Sequence, residues 1–67
     1  MSQEEVYKII KELGGEATTQ EIKERAKEKF PNYSLYLYVS NRLKKLEKWG
    51  IIKKTEKGTW KIIKNYK

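Results

Sequence analysis

The segment from Ser34 to Trp49 concentrates side chains that can recognise an anionic partner without covalent chemistry. Advancing by about 100° per residue, as in a helix, places these side chains on one face. Asparagine can pair with adenine through two hydrogen bonds, leucine can touch a thymine methyl, and tyrosine and lysine can reach bases or phosphates. The face is therefore suited to a major groove. Its members are Ser34, Leu37, Tyr38, Asn41, Lys44, Lys45 and Lys48, with Arg42 on its flank.

A second group of cations follows Gly50. We expect the chain beyond Gly50 to form a hairpin whose turn lies along a phosphate backbone. Any one of these lysines could instead protect a sheet edge, because lysines on an edge strand prevent unwanted strand pairing. The lysines of the preceding helix could likewise form a solvated face that keeps a small protein soluble. The group comprises Lys53, Lys54, Lys57, Lys61 and Lys64.

Charge is distributed unevenly along the chain. Residues 1–30 hold seven Glu against six Lys and Arg, net −1, whereas residues 31–67 hold two Glu against ten Lys and Arg, net +8. The whole excess of +7 thus lies in the half that carries both groups of candidate residues. A basic helix followed by a basic hairpin is a suitable surface for a polyanion.

Composition argues against several other functions. The chain has no Cys and no His, so thiolate metal sites, the usual zinc ligand and the usual neutral-pH general base are missing. We expect no enzymatic activity, no catalytic residue, no cofactor and no metal. No apolar run approaches the roughly 20 residues of a membrane span. The N-terminus also lacks the apolar core of a signal peptide, so we expect a protein of the cytoplasm. Its suitability for a polyanion adds an expected association with the nucleoid.

Length and patterning predict one domain, residues 1–67, with three helices. Helix 1 is expected at about residues 3–13, with a Ser2–Glu5 capping box at its start and Gly14-Gly15 at its end. A short strand at residues 16–17 leads to a second capping box, Thr18 with Glu21, and to helix 2 at about residues 19–29.

Helix 3 follows Pro31. It is expected at about residues 35–49, between an N-cap at Ser34 and a stop at Gly50. Beyond Gly50 the apolar period shortens toward two, which predicts a β-hairpin with Gly58 at a positive φ and fraying of the last few residues.

The periodicity also predicts the core. We expect Trp49 to pack on helix 1 or on the hairpin rather than to stack on a base. We expect Tyr7 to be an exposed amphipathic side chain rather than part of a self-association surface. The predicted core residues are Val6, Ile9, Ile10, Leu13, Ile22, Ala26, Phe30, Val39, Leu43, Leu46, Ile52, Trp60 and Ile62.

The stretch from Val39 to Ile52 resembles the recognition helix and first wing strand of winged helix-turn-helix DNA-binding domains, especially small archaeal and bacterial transcription regulators. The stretch from Gly15 to Ile22 is similar to the strand and helix 2 entry of the same family. The resemblance implies an α+β winged helix-turn-helix fold with three helices and a C-terminal hairpin wing. It also implies DNA contact by Leu37, Tyr38, Asn41, Arg42, Lys45, Lys54 and Lys57.

The leading hypothesis is a transcriptional regulator that binds double-stranded DNA through helix 3 and the hairpin. We expect a monomer or weak homodimer with no small-molecule ligand, because no dimerisation helix or ligand domain follows the short wing. We expect no membrane partner, because the apolar stripe of helix 3 is needed for the core. Two alternatives are a binder of chromatin or RNA that does not read sequence, and a winged-helix protein adaptor that uses Leu37, Tyr38 and Trp49.

Overall fold

The computed structural model describes residues 3–31 and 35–66. Within these ranges the chain forms three helices and a small antiparallel sheet, so the predicted α+β class is confirmed. The predicted caps at Ser2 and Ser34 lie outside the described residues. The elements are α1 (Gln3–Glu12), β1 (Glu16–Ala17), α2 (Thr19–Lys29), α3 (Leu35–Lys48), β2 (Ile52–Lys54) and β3 (Trp60–Ile62).

Helices α1 and α3 both end at a glycine in the left-handed region. After α3, the N–H of Gly50 (φ 78°) donates to the Glu47 carbonyl at 3.0 Å, and the N–H of Ile51 donates to the Leu46 carbonyl at 3.0 Å. At the end of α1, Gly14 (φ 98°) and the residue after it make the equivalent pair of backbone hydrogen bonds. The two hydrogen bonds after α3 satisfy carbonyl groups at the end of the helix and bring Ile51 back over its last turn. Ile51 is consequently buried, which was not predicted.

Helix α2 begins with the predicted capping box. The Glu21 N–H donates to Thr18 Oγ1 at 3.1 Å, and the Thr18 N–H donates to Glu21 Oε1 at 2.9 Å. Both donors would otherwise lack a partner inside the helix. The helix ends at Phe30, ahead of Pro31, and none of the described helices is long and apolar enough to cross a membrane.

The sheet has the order β1-β3-β2, so β3 pairs on both sides. Strands β2 and β3 form the predicted hairpin. Its loop closes where the Thr55 N–H donates to the Thr59 carbonyl at 2.8 Å and the Gly58 N–H donates to the Thr55 carbonyl at 3.0 Å. Gly58 has φ 84°, as predicted for a three-residue loop of this kind.

The predicted core is confirmed. Ten of its members are buried, and Leu13, Phe30 and Ile62 are partly buried against them. Ile51, Ala17 and Tyr7 join the cluster.

The prediction that Tyr7 is exposed was wrong, because its side chain is buried. Its ring lies 5.7 Å from the ring of Tyr66, centroid to centroid, and Tyr66 in turn lies 6.3 Å from Trp49. Tyr66 thus packs on the domain, so the expected fraying does not hold for this residue. Trp49 makes its ring contact with Tyr66 and remains 47% exposed.

Candidate nucleic-acid interface

Helix α3 has two faces of opposite character. Val39, Leu43 and Leu46 are fully buried against the rest of the domain. On the other side Leu37 is 63% exposed and Tyr38 is 49% exposed. Ser34, the first residue predicted for this face, lies outside the described residues. The remaining predicted members are exposed: Asn41, Lys44, Lys45 and Lys48.

Arg42 lies between these two faces and is partly buried. Its Nε is shielded from solvent and has no hydrogen-bond partner within residues 3–31 and 35–66. An unpaired buried donor costs about 1–3 kcal/mol. Arg42 thus lies on the flank of α3, between its buried and its exposed faces.

The sheet register separates the hairpin lysines into two faces. Ala17, Trp60 and Lys54 form one cross-strand row, and Glu16, Lys61 and Lys53 form the next. Paired residues project from the same face of a sheet, and the first row contains the buried Trp60. The row of Glu16, Lys61 and Lys53 therefore points away from the core.

Lys54 occupies the core-facing row, unlike Lys53 and Lys61. Its Nζ lies 4.7 Å from the centroid of the Trp60 ring, within the range of a cation–π contact. Because β2 is an edge strand, Lys54 still remains exposed. Alternation from the buried Ile52 is the sequence signal that would have assigned Lys54 to this face.

Glu16 lies among the outward-facing cations, a position that sequence reasoning missed. Its Oε2 accepts a hydrogen bond from the Thr59 hydroxyl and lies 3.8 Å from Lys57 Nζ. The bond from Thr59 contributes most to holding the pKa of Glu16 below its ordinary value; the charges of Lys57 and Lys61 act in the same direction, and partial burial opposes them. The carboxylate thus stays ionised beside the lysines. No local pattern reports this contact, because Glu16 and Thr59 are 43 residues apart.

Trp60 fixes the hairpin to the start of α2. Its indole Nε1–H donates to Thr19 Oγ1 at 3.0 Å, and its ring is nearly covered. The hairpin is thereby held by a hydrogen bond as well as by its pairing with β1.

A separate ion-pair cluster joins α1 to α2. Glu12 accepts hydrogen bonds from Lys29 and from Arg25, the latter at 3.3 Å. The bond from Lys29 is the main reason that the pKa of Glu12 lies below its ordinary value. This cluster belongs to the acidic half of the chain, away from the candidate residues in sequence.

The described residues include one cleft near the C-terminal end of α3. A half-open cleft of about 240 Å³ lies beside Trp49 and Tyr66, with Lys64 on its lining. Among residues 3–31 and 35–66, no group of three or more acidic side chains is arranged to hold a metal ion.

Comparisons of the chain with protein-family models, with curated proteins and with solved structures found no match.

Proposed function

We propose that this chain is a winged helix-turn-helix domain that binds double-stranded DNA, with α3 in the major groove and the β2–β3 hairpin on the phosphate backbone. The observation that carries the proposal is the outward face of α3. Two large side chains, Leu37 and Tyr38, stay exposed there beside Asn41, although a chain of this size has few large apolar residues to leave outside its core. Base edges in the major groove present hydrogen-bonding groups and thymine methyl groups, which a face of apolar, amide and cationic side chains can match.

The electrostatics of the hairpin support the same proposal. Lys53 and Lys61 are directly opposite each other on adjacent strands, an arrangement of like charges that destabilises a sheet. A phosphate between them would remove that repulsion. Lys57 at the loop extends the same outward surface, and its side chain is 78% exposed.

The order of elements also agrees with the resemblance. A helix, a short strand, two helices and a hairpin follow one another as expected for a winged helix-turn-helix domain. In this arrangement α3 reads bases while the hairpin positions the protein on the backbone. A single domain contacts few base pairs, so a transcriptional role would use paired sites or a weak homodimer.

Selection from a random duplex pool, at low and near-physiological salt, tests the proposal. The expected result is binding that weakens with salt and an enriched motif that persists at the higher salt. Binding without enrichment would favour a general nucleic-acid binder, because the backbone term alone carries no sequence information. Absence of binding at low salt would contradict the proposal.

A second candidate is a protein-docking module. It is favoured by the exposure of Leu37 together with that of Trp49, which lies 47% exposed just beyond the end of α3. Affinity for a protein partner through these apolar side chains would survive high salt, whereas duplex binding driven by counterion release would not. Measuring retention of bound partners along a salt gradient separates the two candidates.

A further inference from the structure

We propose that Glu16 limits the affinity of the hairpin for phosphates by competing with DNA for Lys57. The carboxylate acts as an internal substitute for a phosphate, because it lies beside the loop lysine when no duplex is bound. This inference rests on the proposed function, since it concerns the same outward face of the sheet. Glu16 is here a positioning residue that acts through a lysine.

The Glu16 side chain is anchored independently of Lys57. It belongs to β1, where its backbone is paired opposite Lys61 of the central strand. Its Oε2 accepts a hydrogen bond from Thr59, and the Thr59 hydroxyl is held in turn by Thr55 Oγ1 at 2.7 Å. The carboxylate is therefore fixed by the sheet and by a chain of two hydroxyls, and it would stay in place if the lysine moved away.

Lys57, in contrast, is free to exchange partners. Its Nζ lies 3.8 Å from Glu16 Oε2, the long end of the range for an ion pair, and its side chain is 78% exposed. Exposed pairs of this kind contribute little, so a phosphate at close range can replace the carboxylate. A DNA phosphate backbone that approaches Lys53, Lys57 and Lys61 is therefore also repelled by the Glu16 carboxylate, which is fixed in place.

Neutralising that charge should tighten binding. Glu16→Gln keeps an oxygen that can accept the Thr59 hydrogen bond and removes the charge. We expect affinity for a duplex of mixed sequence to rise about two- to five-fold at low salt, the range set by one exposed ion pair. The slope of log K against log salt should steepen by up to about one, because Lys57 then neutralises a phosphate fully.

Glu24→Gln is the matched control. Glu24 lies on α2, is exposed, and its carboxylate accepts a hydrogen bond from Gln20 at 3.0 Å. This variant changes the net charge by the same amount outside the sheet. The two variants and the parent chain are compared by fluorescence anisotropy with a labelled duplex at two salt concentrations, after thermal melting has established that each is folded.

A double-mutant cycle with Lys57→Gln isolates the contact. If Glu16 acts through Lys57, the gain from Glu16→Gln should shrink in the Lys57→Gln background. Should Glu16→Gln prevent folding, Glu16→Thr removes the same charge and retains strand propensity.

An undiminished gain from Glu16→Gln in the Lys57→Gln background would overturn the inference, and so would each of three further results. An equal gain from Glu24→Gln would assign the effect to net charge alone. Unchanged or weaker binding by a folded Glu16 variant would mean that the carboxylate does not compete, although the proposed function would stand, because the parent chain binds. Failure of the parent chain to bind any duplex would refute the proposed function and this inference together.

Discussion

Asn41 and Lys57 represent two kinds of contact that the proposed interface would make. The amide of Asn41 can match the donor and acceptor of one base, so its contribution depends on sequence. The ammonium of Lys57 can neutralise any phosphate. The two residues lie on different elements, and both are exposed, so each can be changed with little effect on the core.

We therefore expect Asn41→Ala to relax sequence preference and Lys57→Ala to weaken binding to all duplexes alike. The first change should cost about 1–3 kcal/mol on the preferred duplex and much less on random DNA. The second should lower the salt slope by about one. Titrations with selected and random duplexes measure both effects. Equal losses on every sequence for both variants would count against base readout by Asn41.

At Thr19, a single hydroxyl accepts the hydrogen bond of the nearly buried Trp60 indole. Thr19→Val keeps the side-chain shape and removes the acceptor, and we expect the free energy of unfolding to fall by about 1 kcal/mol. Urea unfolding followed by circular dichroism measures the loss. Thr19→Ser retains the hydroxyl and should be nearly neutral, so a similar loss in both variants would argue against the hydrogen bond as the cause.

At the scale of the elements, the N-terminus of α2 is stabilised by the capping box of Thr18 and Glu21. Thr18→Ala removes the acceptor for the Glu21 N–H and should lower the free energy of unfolding by about 1 kcal/mol. Thr18→Ser preserves the cap and serves as the control. Unfolding midpoints of the two variants in urea make the comparison, and a Thr18→Ala protein as stable as the parent would contradict the role of the capping box.

The elements that sequence predicted well are those that local chemistry determines. The capping box at Thr18 and the stop at Gly50 depend on residues within one or two turns, so their spacing is readable directly. The apolar period likewise predicted the buried faces of α1 and α3. The pairing of β1 with β3 was not predicted, because two-residue strands carry no partner information.

The misses share a dependence on distant contacts. Tyr7 is buried because Tyr66, at the other end of the chain, packs on its ring, and nothing near Tyr7 signals this. The place of Glu16 among the lysines follows from β1–β3 pairing and was invisible for the same reason. Most of the candidate face on α3 was readable because helical spacing alone determines which side chains oppose Val39 and Leu43.

At the scale of the whole molecule, two carboxylates make the stability of the folded protein depend on pH in the acid range. The pKa values of Glu12 and Glu16 lie below the ordinary value of 4.5 in the folded protein. Each therefore contributes stability that is present above that pH and is lost as the pH falls through the lowered value. The hydrogen bond from Lys29 is the main cause at Glu12, with Arg25 acting in the same direction. The hydrogen bond from Thr59 is the main cause at Glu16, with Lys57 and Lys61 acting in the same direction.

We expect melting temperatures of the parent chain to fall between about pH 5 and pH 2. The combined Glu12→Gln and Glu16→Gln variant should be less stable at pH 7 and should lose less on acidification. Melts across this range test the expectation, with Glu24→Gln as a control for the removal of a carboxyl. An unchanged slope in the double variant would assign acid sensitivity to other groups.

The two tryptophans of the chain occupy unlike surroundings, and this difference has an optical consequence. Trp60 lies nearly covered beneath Lys54, whereas Trp49 stands half in solvent beside Tyr66. Emission from Trp60 should therefore be blue-shifted relative to that from Trp49. A Trp49→Phe protein would isolate the hairpin signal, and Trp60→Phe would isolate that of the C-terminal aromatic contact. Intrinsic fluorescence can thus follow the undocking of these two regions separately, with no added dye.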